Sequence, residues 1–408
     1  MQIEAPTQAA SRRTPSGTRA LRVLDITDFY SETASGGVRT YLRHKMEHLA
    51  QAGVSHSIVV PGAETGVERV GPARVHTIRS PRIPISPAYR ALLSASEVRR
   101  VLLEERPDVV EVGSPFFVPW LVRRAGGEPP VPTVGFYHAD LVRTFAEPYV
   151  QHRWLAPVRM TLRAAARRLV RDVYRTFDVT VAASESVAGE LRSFGVPHVV
   201  HVPLGVDHER FRPRGPGEVA SRAELGVPEE GVLGVYVGRF APEKRLEVAL
   251  DGHALIPVER RPHLLLVGDG PDRSSLEARA RRQPGLFLAP YQSSREAVAR
   301  IYGAADFYLA AGPGETFGLS IVEALASGLP VVTVSRGAGP DRVAGTVVAE
   351  AYRHGDPSDA SAAIQRLVVR LGPDLAAEAR RHAEDRYHWP RTFEALLRVY
   401  EQTASRRR

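Results

Sequence analysis

Residues 305–335 read ADFYLAAGPGETFGLSIVEALASGLPVVTVS. The two ends, ADFYLAA and PVVTVS, are short apolar runs built from strand formers. The middle, LSIVEALASG, has a helical pattern that stops at Gly328. Strand, helix and strand make a βαβ unit, whose two strands run parallel. The unit carries two carboxylates eight residues apart, Glu315 in the loop and Glu323 about one turn into the helix. Phe317-Gly318-Leu319 lies between them and opens the helix.

The same alternation extends in both directions. Upstream, GVLGVYVGRF, PHLLLVGDG and LFLAPY read as strands with helical stretches between them. Further upstream, ALRVLDITDFY leads through a loop holding Gly36-Gly37 into the helical pattern VRTYLRHKMEHLAQAG, which Gly53 ends. SHSIVVPG, PDVVEVGS, PTVGFYHAD and FDVTVAASES follow as further strands. The alternation breaks once, in the Pro/Gly-rich stretch VPLGVDHERFRPRGPGE. The expected fold is therefore α/β, with two Rossmann-like doubly wound parallel-sheet domains facing a central cleft. The N-terminal domain is placed at 19–204 and the C-terminal domain at 205–385, followed by a helix at 386–402. Residues 1–18 and the final SRRR are expected to be disordered. No repeat of 20–50 residues is present.

The length of 408 residues suffices for two full cores. The 43% hydrophobic and 25% charged fractions are ordinary for a globular chain. There is no cysteine, which excludes disulfides, thiolate metal sites and a cysteine nucleophile. The first residues lack the apolar core of a signal peptide, and no run approaches about 18 apolar residues, so a cytoplasmic enzyme is expected. The net charge of +8 favours anionic partners without selecting one. With 7% aromatics and no basic-aromatic motif, nucleic acid is not expected as a partner.

Ligands of open α/β sheets bind beyond the carboxyl ends of the strands, at helix N-termini. There the free N–H groups after Gly318 suit a diphosphate. A loop carboxylate such as Glu315 can accept from sugar hydroxyls, and a helix carboxylate such as Glu323 can accept both hydrogens of a ribose diol. Glycosidase carboxylates instead flank a bond from opposite sides. Two on one loop–helix unit fit one extended ligand, or else a helix cap and a solvated position. GRFAPEKRLE supplies Arg239 and Lys244 directly after a strand, where two cations can meet a leaving diphosphate or simply line a solvated turn. VGDGP, with Gly268, allows close backbone approach or is merely a tight turn. Gly36-Gly37 lacks the GxGxxG of a dinucleotide site, yet still lets backbone meet a phosphate. His138 stands at a strand end facing the cleft, with Asp140 two residues on, and has a purely structural alternative.

Residues 152–177 form one long helical pattern. Leu155, Val158, Leu162, Leu169, Val173 and Phe177 are expected to face the sheet. Arg159, Arg163, Arg167, Arg171 and Arg175 run down another face, either solvated or meeting an anionic surface such as phospholipid or a phosphorylated acceptor.

Taken together, SGGVRTYL, VPLGVDHERF, GRFAPEKR, LLLVGDGP and ETFGLSIVEALASGLPVV resemble, in order, the retaining GT-B glycosyltransferases of family 4, over about residues 21–400. The most specific element is the E-x7-E signature from Glu315 to Glu323. The resemblance implies a nucleotide diphosphate sugar as co-substrate, a UDP- or GDP-sugar, and a hexose moved to an acceptor hydroxyl with retention by front-face attack. It implies neither cofactor nor metal, because cations replace the divalent ion. Glu315 would hold the donor sugar hydroxyls, Glu323 the ribose, and Arg239 and Lys244 the diphosphate. His138 would lie near the transferred sugar. Backbone at Phe317, Gly318 and Leu319 and at Gly36 and Gly37 would touch sugar or phosphate, and Gly238, Gly268, Pro290 and Tyr291 would complete the donor site. The C-terminal helix would return to the N-terminal domain. One stretch departs from the family pattern: RGAGPDRVAG has Asp341 where a glutamate is common. The acceptor is open, with a lipid, a polysaccharide, a small thiol precursor or a secondary metabolite as candidates. Some relatives act at membranes, so peripheral contact with the inner membrane face through the arginine helix is a further expectation. A GT-B epimerase or sugar-phosphate transferase, or a non-catalytic nucleotide-sugar-binding protein, is the alternative.

Overall fold

A computed structural model describes residues 20–29, 37–83, 86–127, 130–138, 156–215 and 217–406. In the N-terminal half the order is β1 (Arg22–Ile26), α1 (Gly37–Gln51), β2 (Ser55–Gly62), β3 (Gly66–Val70), β4 (Ala73–Arg79), β5 (Arg82–Ile83), β6 (Ser86–Arg90), α2 (Ala95–Glu105) and β7 (Val109–Val112). Then come α3 (Val118–Ala125), β8 (Thr133–Tyr137), α4 (Ala156–Tyr174), β9 (Val179–Ala182), α5 (Glu185–Ser193) and β10 (Val199–His201). The sheet order is β10-β9-β8-β7-β1-β2-β4-β3. Every pairing is parallel except that of the edge strand β3 with β4. The β3–β4 hairpin and the small β5–β6 ribbon were not visible in the apolar pattern. Four of the five β3 residues are exposed and the fifth half-buried, so no apolar run marks the strand. Gly71, at φ +56°, makes the turn that reverses the chain.

The C-terminal half holds β11 (Leu233–Val237), α6 (Leu246–Leu255), β12 (His263–Val267), α7 (Arg273–Ala280), β13 (Leu286–Ala289), α8 (Arg295–Ala304), β14 (Phe307–Ala310) and α9 (Leu319–Ala326). It continues with β15 (Val331–Val334), α10 (Ala338–Val343), β16 (Ala349–Tyr352), α11 (Pro357–Val369), α12 (Pro373–Arg386) and α13 (Trp389–Ser405). Its sheet is wholly parallel, in the order β13-β12-β11-β14-β15-β16. β14 and β15 are buried along their whole length, because helices cover both faces.

Both sheets contain a switch point where strand order reverses, between β11 and β14 in one and between β1 and β7 in the other. The loops leaving adjacent strands there diverge to opposite faces and leave a crevice. The chain crosses between domains twice. Val206 and His388 join the two crossings in a lone parallel bridge. Gly205 lies so close under the second crossing that a Cβ would sit 2.2 Å from the Trp389 nitrogen. α13 packs on α1, β7 and β8, and the Tyr400 hydroxyl donates to Glu111 of β7.

The long helix differs from expectation on its apolar face. Val170, Val173 and Tyr174 are buried, while Leu162 and Leu169 are 40% and 45% exposed and Met160 is 70% exposed. Val173 and Phe177 of the expected stripe are buried, but Val170 and Tyr174 take the place of Leu162 and Leu169, so the buried stripe is turned part of the way round the helix. The Tyr174 ring packs edge-on against Tyr137 at 5.2 Å. Leu155 lies outside the described residues, and the side chains of Val158 and Arg159 are not described.

Candidate active site

The C-terminal switch point places two loops side by side. One leaves β11 through Gly238, Arg239 and Phe240 to Lys244, and the other leaves β14 through Gly312 and Glu315 to Gly318. Parallel pairing of β11 with β14 brings Lys244 Nζ onto the Glu315 carboxylate. Both side chains stay about one-quarter exposed, at 23% and 26%. Arg239 is exposed and has no ion pair among the described residues. Two cations and one carboxylate thus sit at the mouth of the crevice.

Gly318, at φ +83°, starts α9 without a side-chain cap, so the first-turn N–H groups keep no side-chain partner. Phe317 is buried. Its ring carries the Arg342 guanidinium at 4.4 Å and meets Tyr387 edge-on at 6.0 Å, so only the Phe317 backbone faces the cleft side. Arg342 is itself 2% exposed and also lies over Tyr387, at 5.3 Å. Opposite stands the start of α1, where a Cβ on Gly37 would lie 3.1 Å from Leu319 Cδ1. The positive ends of two helices therefore converge on one spot. Gly36 lies outside the described residues.

α1 is held from beneath by a buried ionic cluster that sequence reasoning missed. Lys45, fully buried, lies 2.6 Å from Asp25 of β1 and 3.1 Å from Glu111 of β7. His56 adds a contact to Asp25 at 2.8 Å, and the Tyr41 hydroxyl donates to Glu111 at 2.9 Å. Burial opposes the Asp25 charge, but Lys45 and His56 together hold its carboxyl below the usual range. Burial pushes Glu111 up even so.

His138 directly follows β8, stacked on the Phe136 ring at 4.0 Å and beside Tyr41 at 5.2 Å. Burial pushes its imidazole down to about 3, with Lys45 adding to the effect, so the ring is neutral at physiological pH. It can share a proton or a lone pair with a sugar but supplies no charge. Its carbonyl accepts from the Thr316 hydroxyl at 2.8 Å, which ties the Glu315 loop to the N-terminal domain. Asp140 lies outside the described residues.

Glu323 is 4% exposed and pairs with Arg295, the first residue of α8. Burial pushes its carboxyl up, and Arg295 opposes that. Arg295 was missed from the sequence, although a signal existed. A cation at a helix start works against the macrodipole, and a broken local rule points to a tertiary partner. Gly268 approaches Gly238 so closely that a Cβ would lie 1.9 Å from its carbonyl oxygen, so packing requires glycine in the β12 turn. Pro290 and Tyr291 follow β13 and are exposed. Asp341 points away from the Glu315 loop, accepting the Ser186 N–H of α5 at 2.8 Å across the domain boundary. The start of α10 does close on that loop, with Ala338 N–H donating to the Glu315 carbonyl at 3.0 Å.

Two Rossmann-like domains, helix N-termini converging between them, and cations beside a loop carboxylate together define a GT-B glycosyltransferase. Residues 35–210 match the family described as Glycosyltransferase Family 4, and residues 232–369 match Glycosyl transferases group 1. The chain is 33% identical over 380 residues to a GDP-mannose-dependent alpha-(1-6)-phosphatidylinositol dimannoside mannosyltransferase of Mycobacterium tuberculosis, covering 92% of this chain and 95% of that one. It is 30% identical to a GDP-mannose-dependent alpha-mannosyltransferase of Corynebacterium glutamicum, covering 77% and 72%. Among solved structures, sucrose-phosphate synthase from Thermosynechococcus elongatus matches with a TM-score of 0.73 at 20% identity, covering 94% of this chain and 98% of that one. Anabaena HepE in complex with UDP and glucose matches with a TM-score of 0.69 at 16% identity, covering 94% and 100%. The chain belongs to glycosyltransferase family 4 and is a glycosyltransferase that draws on a nucleotide sugar.

Proposed function

We propose that this enzyme transfers a mannosyl group from GDP-mannose to an acceptor hydroxyl, with retention and without a metal ion. The observation that carries the reading is the meeting of Lys244 and Glu315 in front of the uncapped start of α9, facing the start of α1. The relatives named as GDP-mannose-dependent support the choice of base and sugar. In the proposed step the bond from the sugar C1 to the diphosphate oxygen breaks and a bond from C1 to the acceptor oxygen forms on the same face. The acceptor proton passes to the departing phosphate oxygen. Arg239, Lys244 and the α9 N–H groups take up the charge that develops on the diphosphate. Glu315 and the neutral His138 hold the sugar hydroxyls, and Glu323 holds the ribose.

The acceptor we propose is amphiphilic, presented at an anionic lipid surface. Phe117 and Trp120, 54% and 48% exposed, stand beside the β1–β7 switch point. On α4, Met160 is exposed on the face that carries Arg167, Arg168 and Arg171, and Leu162 and Leu169 are exposed on the same helix. A helix that exposes both apolar side chains and arginines suits an anionic headgroup layer, each arginine near the surface adding about 1 kcal/mol. No helix among the described residues is long and apolar enough to cross a membrane.

The test is thermal shift against GDP, UDP, ADP and TDP and their sugars, followed by turnover with the winning donor in the presence of a chelator. A ligand at ~100 times its Kd should stabilise by about 2.7 kcal/mol. The anomeric configuration of the product, read by NMR, decides retention. Inversion, or loss of turnover with chelator, would overturn that part of the proposal. No shift with any nucleotide would favour a sugar-phosphate substrate. Co-sedimentation with anionic but not neutral vesicles tests the surface contact.

A further inference from the structure

Glu323 sits in a narrow crevice between the domains, lined by Thr40 and His44 of α1, the linker around Asp207 and Arg210, and Leu319 of its own helix. Its side chain is 5% exposed, whereas the Arg295 side chain that pairs with it is 26% exposed. Arg295 is also held from the other side, with its guanidinium over the Phe211 ring at 4.9 Å. The cation is therefore fixed between an aromatic face on the linker and a carboxylate on α9.

We propose that Arg295 is a positioning residue: it holds the Glu323 carboxylate in place toward the crevice and thereby sets the enzyme's demand for a ribose diol. The proposal rests on the assignment of Glu323 to the ribose made above. A glutamate this buried accepts hydrogens from two hydroxyls only while ionised and correctly turned. Arg295 is its only ion-pair partner among the described residues. The other groups facing it cannot replace that partner. Asp207 and Arg210 of the linker pair with each other at 2.8 Å. Burial pushes His44 of α1 down to about 4, so it is neutral at the working pH, and Arg43 beside it is exposed. The phenols of Tyr302 on α8 and Tyr308 on β14 are raised by burial and stay neutral. Without Arg295 the carboxylate would be a buried unpaired charge, and it would take up a proton instead.

The readout is the preference for ribose over 2′-deoxyribose, measured calorimetrically with GDP and UDP against their 2′-deoxy counterparts and scored on the base that the wild type binds. Loss of hydrogen bonding to a charged group corresponds to about tenfold to a hundredfold in affinity, which sets the expected wild-type preference. Glu323→Gln should abolish most of it. Arg295→Met should do the same and Arg295→Lys should keep part of it. The double variant R295M/E323Q should match Glu323→Gln alone, since one acts through the other. The double variant also removes both charges together, which keeps the test open if Arg295→Met alone folds poorly. Three results overturn the proposal: Arg295→Met weakening both nucleotides equally, Arg295→Met tightening both because the arginine merely covers the site, or a double variant that falls well below Glu323→Gln. Full preference retained in Glu323→Gln would instead sink the ribose assignment itself.

Discussion

Replacing Lys244 by methionine should separate what its ion pair does for folding from what it does for the ligand. The Lys244–Glu315 pair is about one-quarter exposed on both sides. Pairs with that access to solvent are worth about 0–1 kcal/mol to the fold. For a domain of this size that is a shift in Tm of no more than about 4 °C. A diphosphate entering the mouth would draw the same ammonium away from Glu315. The attraction of two unit charges at about 4 Å is roughly 4 kcal/mol at an effective dielectric near 20. Breaking the existing pair and desolvating the phosphate offset about half, which leaves about 2 kcal/mol, or roughly thirtyfold in Kd. A nucleoside monophosphate lacks the distal charge and should lose less than about fivefold. Calorimetric titration of GDP and GMP into wild type and Lys244→Met at one fixed ionic strength measures both. Equal losses for the two nucleotides, or a fall in Tm beyond about 8 °C, would show that Lys244 serves the loop and not the diphosphate.

Other perturbations have equally definite outcomes. Burial raises the Asp28 carboxyl to about 6, although the Leu92 N–H and the Ser114 hydroxyl donate to it at 2.9 and 2.8 Å. The folded state therefore favours the proton, so this stability is present below pH ~4 and lost as pH rises through about 6. Asp28→Asn should accordingly gain about 3 kcal/mol over wild type at pH 7.5 in denaturant unfolding and lose the advantage below pH ~4, whereas a pH-independent difference would contradict the assignment. Gly205→Ala places a Cβ 2.2 Å from the Trp389 nitrogen and must part the two crossings. It should cost about 1–3 kcal/mol and raise the donor KM through altered closure, and an unchanged melting curve would refute the close packing. Tyr400→Phe removes one donor from the buried Glu111, which should cost about 1–3 kcal/mol and loosen α13 first, visible as faster amide exchange in that helix.

Much of this architecture is written in local pattern. The strand–helix period of residues 305–335 announces βαβ, and handedness and parallel pairing then follow from sterics. The eight-residue spacing puts Glu315 in a loop and Glu323 on the helix behind it, because both positions belong to one continuous segment. Gly318 as the uncapped start of α9 is local in the same way.

What stayed hidden depends on residues far apart in the chain. Lys244 meets Glu315, 71 positions on, because β11 and β14 are neighbours, and strand order is not encoded in the period of either strand. Arg295 meets Glu323 across 28 positions, and Lys45 meets Glu111 only because β7 lies next to β1. Asp341 caps α5 of the other domain, 155 residues away, through a closure no local pattern describes. On α4 the arginines and leucines were legible, but the core is met by Val170, Val173 and Tyr174, whose ring packs on Tyr137, and not by Leu162 or Leu169. The sequence by itself determined the alternating strands and helices of the two large parallel sheets and the carboxylates of the signature, since those follow from period and spacing within short segments, whereas the β3–β4 hairpin and the β5–β6 ribbon left no such pattern. Only the tertiary structure decided which cation neutralises which carboxylate, because ion pairing at these distances depends on a few ångströms of relative placement that sheet order and domain closure set.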